Sequence, residues 1–235
     1  MKVGIMQPYF MPYIGYWQLI NVVDNFVLLD DVNYITRGYI NRNNILVNGK
    51  SYRFTIPIEK ASQNKLIMET KLNFTQSKKQ DFLMTIQNAY SKAPYYKKIM
   101  PLIEDIINNK EMDLTAFIKV SIEKIMEYLN IHTKLLISSK IQKNQELKGE
   151  ERIIEICKRL GADTYINPCG GRNLYHHKDF QLENLKLFFL DTRSEDIIYK
   201  QKQQEFIHNL SIIDIMMFNN ICTIQDFLEM YELNN

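Results

Sequence analysis

Short apolar runs bounded by polar turns mark the first and last parts of the chain. Each is four to six residues long, and residues 26–29 are continuous in hydrophobicity, which is typical of a strand covered on both faces. The runs are residues 3–6, 26–29, 135–139, 163–166 and 185–190. Segments of helical periodicity lie between them, at 13–23 and 150–160. Strands alternating with helices predict a three-layer α/β fold with a mainly parallel, Rossmann-like sheet.

Two further segments do not follow this alternation. Asn48-Gly49 is a strong two-residue turn signal inside residues 45–57, where apolar and polar positions alternate, and this predicts a β-hairpin extension. Residues 76–130 contain no Gly and no strand pattern, and Asp113 is placed to cap a helix. We expect an all-helical insertion or cap at 76–130 over a core domain of 1–75 and 131–235.

Several finer expectations follow from local signals. Leu66 to Leu72 is apolar enough for one more short strand, and Pro101 is expected near the start of a helix over 102–108. Ser211 is placed to cap an apolar helix to Phe218. Thr223 is placed to cap a final helix that runs to about Leu233.

Composition narrows the classes of function. The net charge of +2 over 235 residues gives no reason to expect a polyanion partner. The three cysteines are too widely spaced for a zinc site, and there is no Gly-x-Gly-x-x-Gly fingerprint, so we expect no metal, NAD or flavin. No apolar run reaches the roughly 20 residues that span a bilayer, and no signal peptide is recognisable. A cytoplasmic protein without a membrane span is expected.

The first candidate site is the turn after the first strand. Gln7, Tyr9, Tyr13, Tyr16 and Gln18 are concentrated within a dozen residues, where α/β proteins place ligand-binding groups. Aromatic residues at helical spacing can equally be core. The sequence Tyr-Ile-Gly-Tyr is similar to the His-x-Gly-His turn of nucleotidyl-transferring enzymes. A neutral phenol cannot supply the cation of that turn, so the chemistry of ATP activation is not favoured.

The second candidate is Asp30-Asp31, at the end of the second strand. Adjacent strand residues face opposite sides, so at most one carboxylate is expected in a cleft. It could bind a sugar hydroxyl, act as a general base or hold a metal. The alternative is a cap, or an ion pair with a nearby arginine.

The third candidate is the cluster that follows, with Arg37, Tyr39, Asn41, Arg42 and Asn43. Arginine binds phosphate bidentately, asparagine hydrogen-bonds hydroxyls and amides, and tyrosine stacks on a ring. A polar strand edge that prevents aggregation is the alternative.

The fourth candidate is the loop with Asn167, Gly170, Gly171, Arg172 and Tyr175. Consecutive glycines allow backbone N–H groups to converge on an anion. Cys169 in the same loop is expected to be a small buried thiol, because the sequence identifies no base to pair with it. Further along, His208 could reach a cleft, whereas Ser211 is explained by its role as a helix cap.

Several of these blocks together resemble one family. Residues 5–20, 30–33, 37–43, 54–57, 161–167 with Gly170-Gly171, and 210–214 resemble the WbqC-like family. The resemblance covers nearly the whole chain outside the helical block. It implies a role in making or decorating a bacterial O-antigen or capsule sugar, and it supplies no set of catalytic residues.

The functional hypothesis combines both lines of inference. We expect an enzyme that transfers an acyl or aminoacyl group to the amine of a nucleotide-linked sugar, from a donor such as acyl-CoA or aminoacyl-tRNA. Arg37 and Arg42 would hold the diphosphate, and Asp30 or Asp31 would be the general base. Gln7 and Tyr16 would orient the carbonyl. The alternatives are an ATP-dependent nucleotidyl- or adenylyltransferase and a non-catalytic sugar-nucleotide-binding subunit. A homo-oligomer is left open.

Overall fold

A six-stranded sheet lies at the centre of the protein. The computed structural model describes residues 1–201 and 205–235. The described residues form eight strands, six in this sheet and two, β3 and β4, in a separate two-stranded sheet. They are β1 (Lys2–Met6), β2 (Asn25–Leu28), β3 (Arg42–Val47), β4 (Lys50–Thr55), β5 (Lys134–Ile137), β6 (Thr164–Pro168), β7 (Lys186–Thr192) and β8 (Tyr231–Asn234). The sheet order is β5-β2-β1-β6-β7-β8, and only the β7–β8 pair is antiparallel.

This order contains a topological switch point. From β1 the chain builds outward through β2 to β5, then crosses to the other side of β1 and builds outward through β6 to β7. The direction therefore reverses between β1 and β6. In open α/β sheets a crevice forms outside the carboxyl ends of the strands at such a point, and ligands bind there.

Helices cover both faces of the sheet. They are α1 (Ile14–Val22), α2 (Gln76–Tyr90), α3 (Tyr96–Ile107), α4 (Leu114–Leu129), α5 (Gly149–Leu160), α6 (His177–Leu182), α7 (Ile212–Phe218) and α8 (Ile221–Leu228). Val27 belongs to one buried cluster with Ile153 of α5, while its neighbour Phe26 belongs to a second cluster with Trp17 of α1. Alternate strand residues thus enter opposite layers, and the predicted three-layer α/β fold is confirmed.

The predicted hairpin and helical block are both present. Asn48 and Gly49 have φ values of 50° and 74°, as a type I′ turn requires, and they join β3 to β4. Helices α2, α3 and α4 occupy the predicted helical block, and the Asp113 side chain caps α4. These helices share the buried cluster of α1 and α7. The division into a core domain and an insertion stays a prediction.

Three finer predictions are wrong. Pro101 lies inside α3, because the buried isoleucine face of that helix outweighs the hydrogen bond that proline removes. Residues 66–72 contain a 3₁₀ turn and isolated bridges rather than a strand. The last helix is capped by Asn220 and ends at Leu228, and the chain then returns as the antiparallel edge strand β8. None of the described helices is long and apolar enough to cross a bilayer.

Candidate functional site

A cleft of about 740 Å³ opens at the switch point of the sheet. Met6 ends β1, Pro168 ends β6 and Thr192 ends β7, and all three line it. The start of α1 contributes Gly15, and the loop before β3 contributes Tyr39. The cleft therefore lies where a nucleotide or sugar is expected to bind in this class of fold.

Tyrosines contribute much of the lining of this cleft. Tyr9, Tyr13, Tyr39 and Tyr175 all line it, and the rings of Tyr9 and Tyr39 lie 6.2 Å apart. Burial raises the pKa of Tyr13 to about 12, with smaller contributions from Cys169, Tyr9 and Tyr39. Burial also raises the pKa of Tyr9. The phenols of Tyr9 and Tyr13 are neutral hydrogen-bond donors at physiological pH, and all the tyrosines in the lining offer flat faces on which a ring can stack.

Side-chain amides supply most of the polar lining. Gln7, Asn43, Asn167 and Asn209 line the cleft. Asn43 is fixed because its Nδ2 donates to the Met11 carbonyl at 2.9 Å. Amides present donors and acceptors side by side, which matches the hydroxyl and acetamido groups of sugars.

Asn167 is held in place by its surroundings. Its Oδ1 accepts a hydrogen bond from the Tyr165 hydroxyl at 3.1 Å, and its Nδ2 donates to the Pro168 carbonyl at 3.3 Å. A Cβ added at Gly171 would lie 1.8 Å from that Nδ2 atom. Glycine at this position therefore leaves the space that the Asn167 amide occupies.

Charge is missing from the surface of the cleft. Within the part of the chain that the structure describes, no lining residue is Asp, Glu, Lys, Arg or His. The contacts that the lining offers are apolar, aromatic, amide, hydroxyl, thiol and backbone groups. A lining of this kind is suited to an uncharged ring with hydroxyl or amide substituents.

The structure brings half of the predicted site residues together. The residues that line the cleft are Gln7, Tyr9, Tyr13, Tyr39, Asn43, Asn167, Gly170, Gly171 and Tyr175. They come from three separate segments that meet at one edge of the sheet.

Tyr16 and Gln18 lie behind the lining. The Tyr16 hydroxyl donates to the Gln7 carbonyl at 2.9 Å. The Gln18 amide donates to the carbonyls of Phe227 and Met230, and its Oε1 accepts from Thr192 Oγ1 at 2.7 Å. Both side chains are buried and position the strand ends rather than face the cleft.

Asp30 and Asp31 are absent from the lining, although their neighbour Leu29 is part of it. Asp30 accepts hydrogen bonds from the Ser139 N–H and hydroxyl, and burial raises its pKa. Asp31 is ion-paired with Lys143 at 2.7 Å, and Arg152 lies 3.9 Å away. These contacts fasten the segment after β5 to the end of β2.

The predicted arginines and His208 also lie outside the lining. Arg37 is exposed, and Arg42 Nε donates to the Gly38 carbonyl at 2.6 Å. Arg172 pairs with Asp191. A ring nitrogen of His208 lies 3.0 Å from the Ser194 carbonyl oxygen, and His208 borders a separate, smaller cavity.

Asn41 likewise has internal partners. Its Nδ2 donates to the Ile56 carbonyl at 2.8 Å and its Oδ1 accepts from the Tyr34 hydroxyl at 2.7 Å. It is buried and does not line the cleft. Its contacts tie the loop before β3 to the residues after β4.

Some lining residues were not found from the sequence. Thr192 lies two residues beyond the predicted end of its strand, and Ser194 and Asn209 lie in loops without a motif. The prediction that Cys169 is buried is wrong, because its thiol is exposed in the cleft. The neighbouring Gly-Gly pair was the signal that this loop is open enough to expose it.

One group of side chains has ligand atoms close enough together for a cation. In the described ranges it consists of Glu150, His176 and Asp179. His176 Nδ1 lies 3.1 Å from Glu150 and 3.8 Å from Asp179, and the hydrogen bond with Glu150 raises the histidine pKa. These contacts are those of a surface ion-pair network, and none of the three residues lines the cleft.

Comparison with known proteins places the chain in a family. The model of the WbqC-like protein family matches residues 7–226. An uncharacterized protein of Mycobacterium tuberculosis, Rv1507c, is 27% identical over 231 residues, which cover 97% of each chain. No solved structure matches. Because the family match spans most of the chain, this protein belongs to the WbqC-like protein family.

Proposed function

We propose that the protein binds a nucleotide-linked amino sugar in the cleft and transfers an acyl or aminoacyl group to the sugar amine, in the cytoplasm, during synthesis of a bacterial surface polysaccharide. The observation that carries the proposal is the cleft at the switch point between β1 and β6, with its uncharged tyrosine and amide lining. The polysaccharide context comes from the family resemblance.

Each part of such a substrate has complementary groups in the cleft. Tyrosine faces stack on a base or sugar ring. The amides of Gln7 and Asn167 suit hydroxyl and acetamido groups. Since Arg37 and Arg42 are not in the lining, we assign the diphosphate to the start of α1 instead. Gly15 lines the cleft in the first turn of that helix, and the N–H groups of a helix N-terminus favour anions.

The charge-free lining also favours a second candidate. A protein that only binds a sugar nucleotide, as a subunit of a polysaccharide-synthesising assembly, needs no acid or base in its cleft. An adenylyl- or nucleotidyltransferase receives less support, because its reaction uses Mg²⁺ and cations around a triphosphate, and the described lining offers neither carboxylate nor cation.

A two-part experiment separates these functions. Thermal unfolding is measured with UDP- and dTDP-linked amino sugars, acetyl-CoA, charged tRNA and ATP. A ligand at about 100 times its Kd stabilises by about 2.7 kcal/mol. Each pair of amino-sugar nucleotide and donor is then incubated and analysed by mass spectrometry.

The outcomes discriminate clearly. Stabilisation by an amino-sugar nucleotide with formation of its N-acyl or N-aminoacyl product supports the transferase. Stabilisation without a product from any donor supports the binding subunit. Release of pyrophosphate from ATP supports the nucleotidyltransferase, and no stabilisation by any amino-sugar nucleotide contradicts the proposal.

A further inference from the structure

Thr192 lines the cleft at the end of β7, beside the start of α1. Its side chain lies close to Gly15, because a Cβ added at Gly15 would lie 2.5 Å from Thr192 Oγ1. The same Cβ would lie 2.6 Å from Cε2 of the Tyr13 ring. Glycine at this position therefore lets a hydroxyl oxygen and an aromatic ring come together at one point of the lining.

The buried Gln18 side chain sets the direction of the hydrogen bond that Thr192 makes. Its amide contacts the backbone carbonyl oxygens of Phe227 at 2.7 Å and Met230 at 3.0 Å. A carbonyl oxygen only accepts, so the NH2 end of the amide has to face these two oxygens, and both of its protons are used. The other end of the amide, Oε1, only accepts, and it lies 2.7 Å from Thr192 Oγ1.

The role of the Thr192 hydroxyl follows from this order of bonds. The hydroxyl has one proton, and it donates that proton to Gln18 Oε1. Among the residues that the structure describes, no protein group donates a hydrogen bond to Thr192 Oγ1. The oxygen of this half-buried side chain is thus left as an acceptor at the cleft, and a ligand satisfies it with an N–H or O–H group.

We propose, on the basis of the function above, that Thr192 Oγ1 accepts an N–H of the sugar amine and thereby selects an amino-sugar nucleotide. Gln18 is the positioning residue, because it holds the Thr192 hydroxyl in the accepting orientation. A neutral amine and an ammonium group both carry N–H donors, so both forms fit. An analogue with fluorine in place of the amine would set two acceptors against each other.

The same oxygen separates the amine from the diphosphate. Phosphate oxygens gain no hydrogen bond from an acceptor, whereas the N–H groups in the first turn of α1 favour them. An acceptor for the amine and donors for the phosphates therefore lie side by side at Gly15.

Thr192 orients the amine and does not act as a base. The hydrogen bonds that lead from Oγ1 through Gln18 end at the backbone carbonyls of Phe227 and Met230, and no ionisable group takes part in them. An N–H group held by Oγ1 leaves the lone pair of the neutral amine for the acyl carbon.

The test compares ligands that differ only at the amine position. One pair is UDP-glucosamine and UDP-2-deoxy-2-fluoroglucose, and the other is dTDP-4-amino-4,6-dideoxyglucose and dTDP-4-fluoro-4,6-dideoxyglucose. Calorimetric titration into the full chain gives the ratio of affinities within each pair. In the pair that binds, we expect the wild type to prefer the amine by about tenfold or more, because the fluoro analogue leaves Oγ1 without a donor.

Variants of the two residues locate this preference. Thr192→Val keeps the shape of the side chain but removes the acceptor, so the ratio should fall to within about threefold. Thr192→Ser keeps the hydroxyl and should keep the preference. Gln18→Met frees the Thr192 hydroxyl to donate, so the fluoro analogue should gain affinity relative to the amine. Circular dichroism and thermal unfolding verify folding, and Thr192→Ala replaces Thr192→Val if the latter is unfolded.

Two results would overturn the proposal. One is a wild-type preference below about threefold, and the other is an acceptor-free variant that keeps the full preference of the wild type. In both cases the amino-sugar nucleotide still binds, so the transferase function stands and the amine is held by another group. If neither amino-sugar nucleotide binds to the wild type, the underlying function fails together with the proposal.

Discussion

The Tyr16 hydroxyl donates a hydrogen bond of 2.9 Å to the backbone carbonyl of Gln7. Tyr16 belongs to α1, and Gln7 is the first residue after β1. This bond ties the helix back to the end of the strand from which the chain leaves, so it fixes the backbone on which the cleft-lining Gln7 and Tyr9 side chains are carried.

Tyr16→Phe tests the importance of that bond. Removing the hydroxyl leaves the Gln7 carbonyl without this donor in a part-buried position, which typically costs about 1–3 kcal/mol. We expect a loss in this range in urea unfolding, with weaker binding of the sugar nucleotide. Tyr52→Phe is the control, because Tyr52 is 48% exposed. Equal stability of the two variants would show that the Tyr16 bond contributes nothing.

A pair of neighbouring glycines gives a sharper test of the cleft. A Cβ at Gly171 would meet Asn167 Nδ2 at 1.8 Å, whereas a Cβ at Gly170 meets nothing within 4 Å. Gly171→Ala should displace the Asn167 amide and weaken ligand binding about tenfold or more, the equivalent of about 1.4 kcal/mol. Gly170→Ala should bind within a few-fold of the wild type. Calorimetry measures both; equal affinities would exclude Asn167 from ligand recognition.

Regular packing made most of the fold predictable from sequence. Short apolar runs predicted the parallel strands, and Asn48-Gly49 predicted the hairpin. The edge strand β8 was missed, because Tyr231–Asn234 alternates only weakly and is held by pairing with β7. Long-range pairing of this kind leaves little local signal.

The site was predictable in part for a related reason. Half of the residues proposed at strand ends line the cleft, but sequence alone does not say which side chains have internal partners. Gln18 and Asn41 looked free and are engaged with backbone carbonyls. Cys169 was expected to be buried because free cysteines usually are, whereas its loop at the end of β6 exposes the thiol in the cleft.

The ion pair of Lys143 with Asp31 should contribute to the free energy of unfolding near neutral pH, and this contribution should be lost in acid. Both side chains are almost fully buried. Lys143→Met should lower the free energy of unfolding by about 3–5 kcal/mol near neutral pH, because it leaves a buried carboxylate without its main partner. Asp31→Asn combined with Lys143→Met should recover much of this loss. If the double variant is no more stable than the single one, the uncompensated charge is not the cause.

The pH dependence of this pair has a definite sign. Burial raises the pKa of Asp31, but Lys143, Ser138 and Arg152 outweigh it and hold the pKa below its ordinary value. The stabilisation is therefore present above the unfolded-state pKa of about 3.9 and is lost as the pH falls through the lower folded-state value. The stability difference between the wild type and Lys143→Met should narrow between about pH 5 and pH 3. A constant difference over that range would contradict the assignment.

The contacts of Asp30 predict a role in stability rather than in catalysis. Because its carboxylate accepts two hydrogen bonds from Ser139 and does not line the cleft, Asp30→Asn should lower stability by about 1–3 kcal/mol. Ligand affinity and turnover should stay within a few-fold of the wild type. A loss of turnover by about 10²-fold or more, with affinity unchanged, would restore Asp30 as a general base.

The central claim is that the cleft between β1 and β6 is where a nucleotide-linked amino sugar binds, and calorimetric titration of such a sugar into the wild type and into Asn167→Ala tests it most directly. We predict saturable binding at one site in the wild type and affinity weaker by about tenfold or more in the variant, since Asn167 lines the cleft. Equal affinity of the two proteins, or no saturable binding of any amino-sugar nucleotide to the wild type, would contradict the claim.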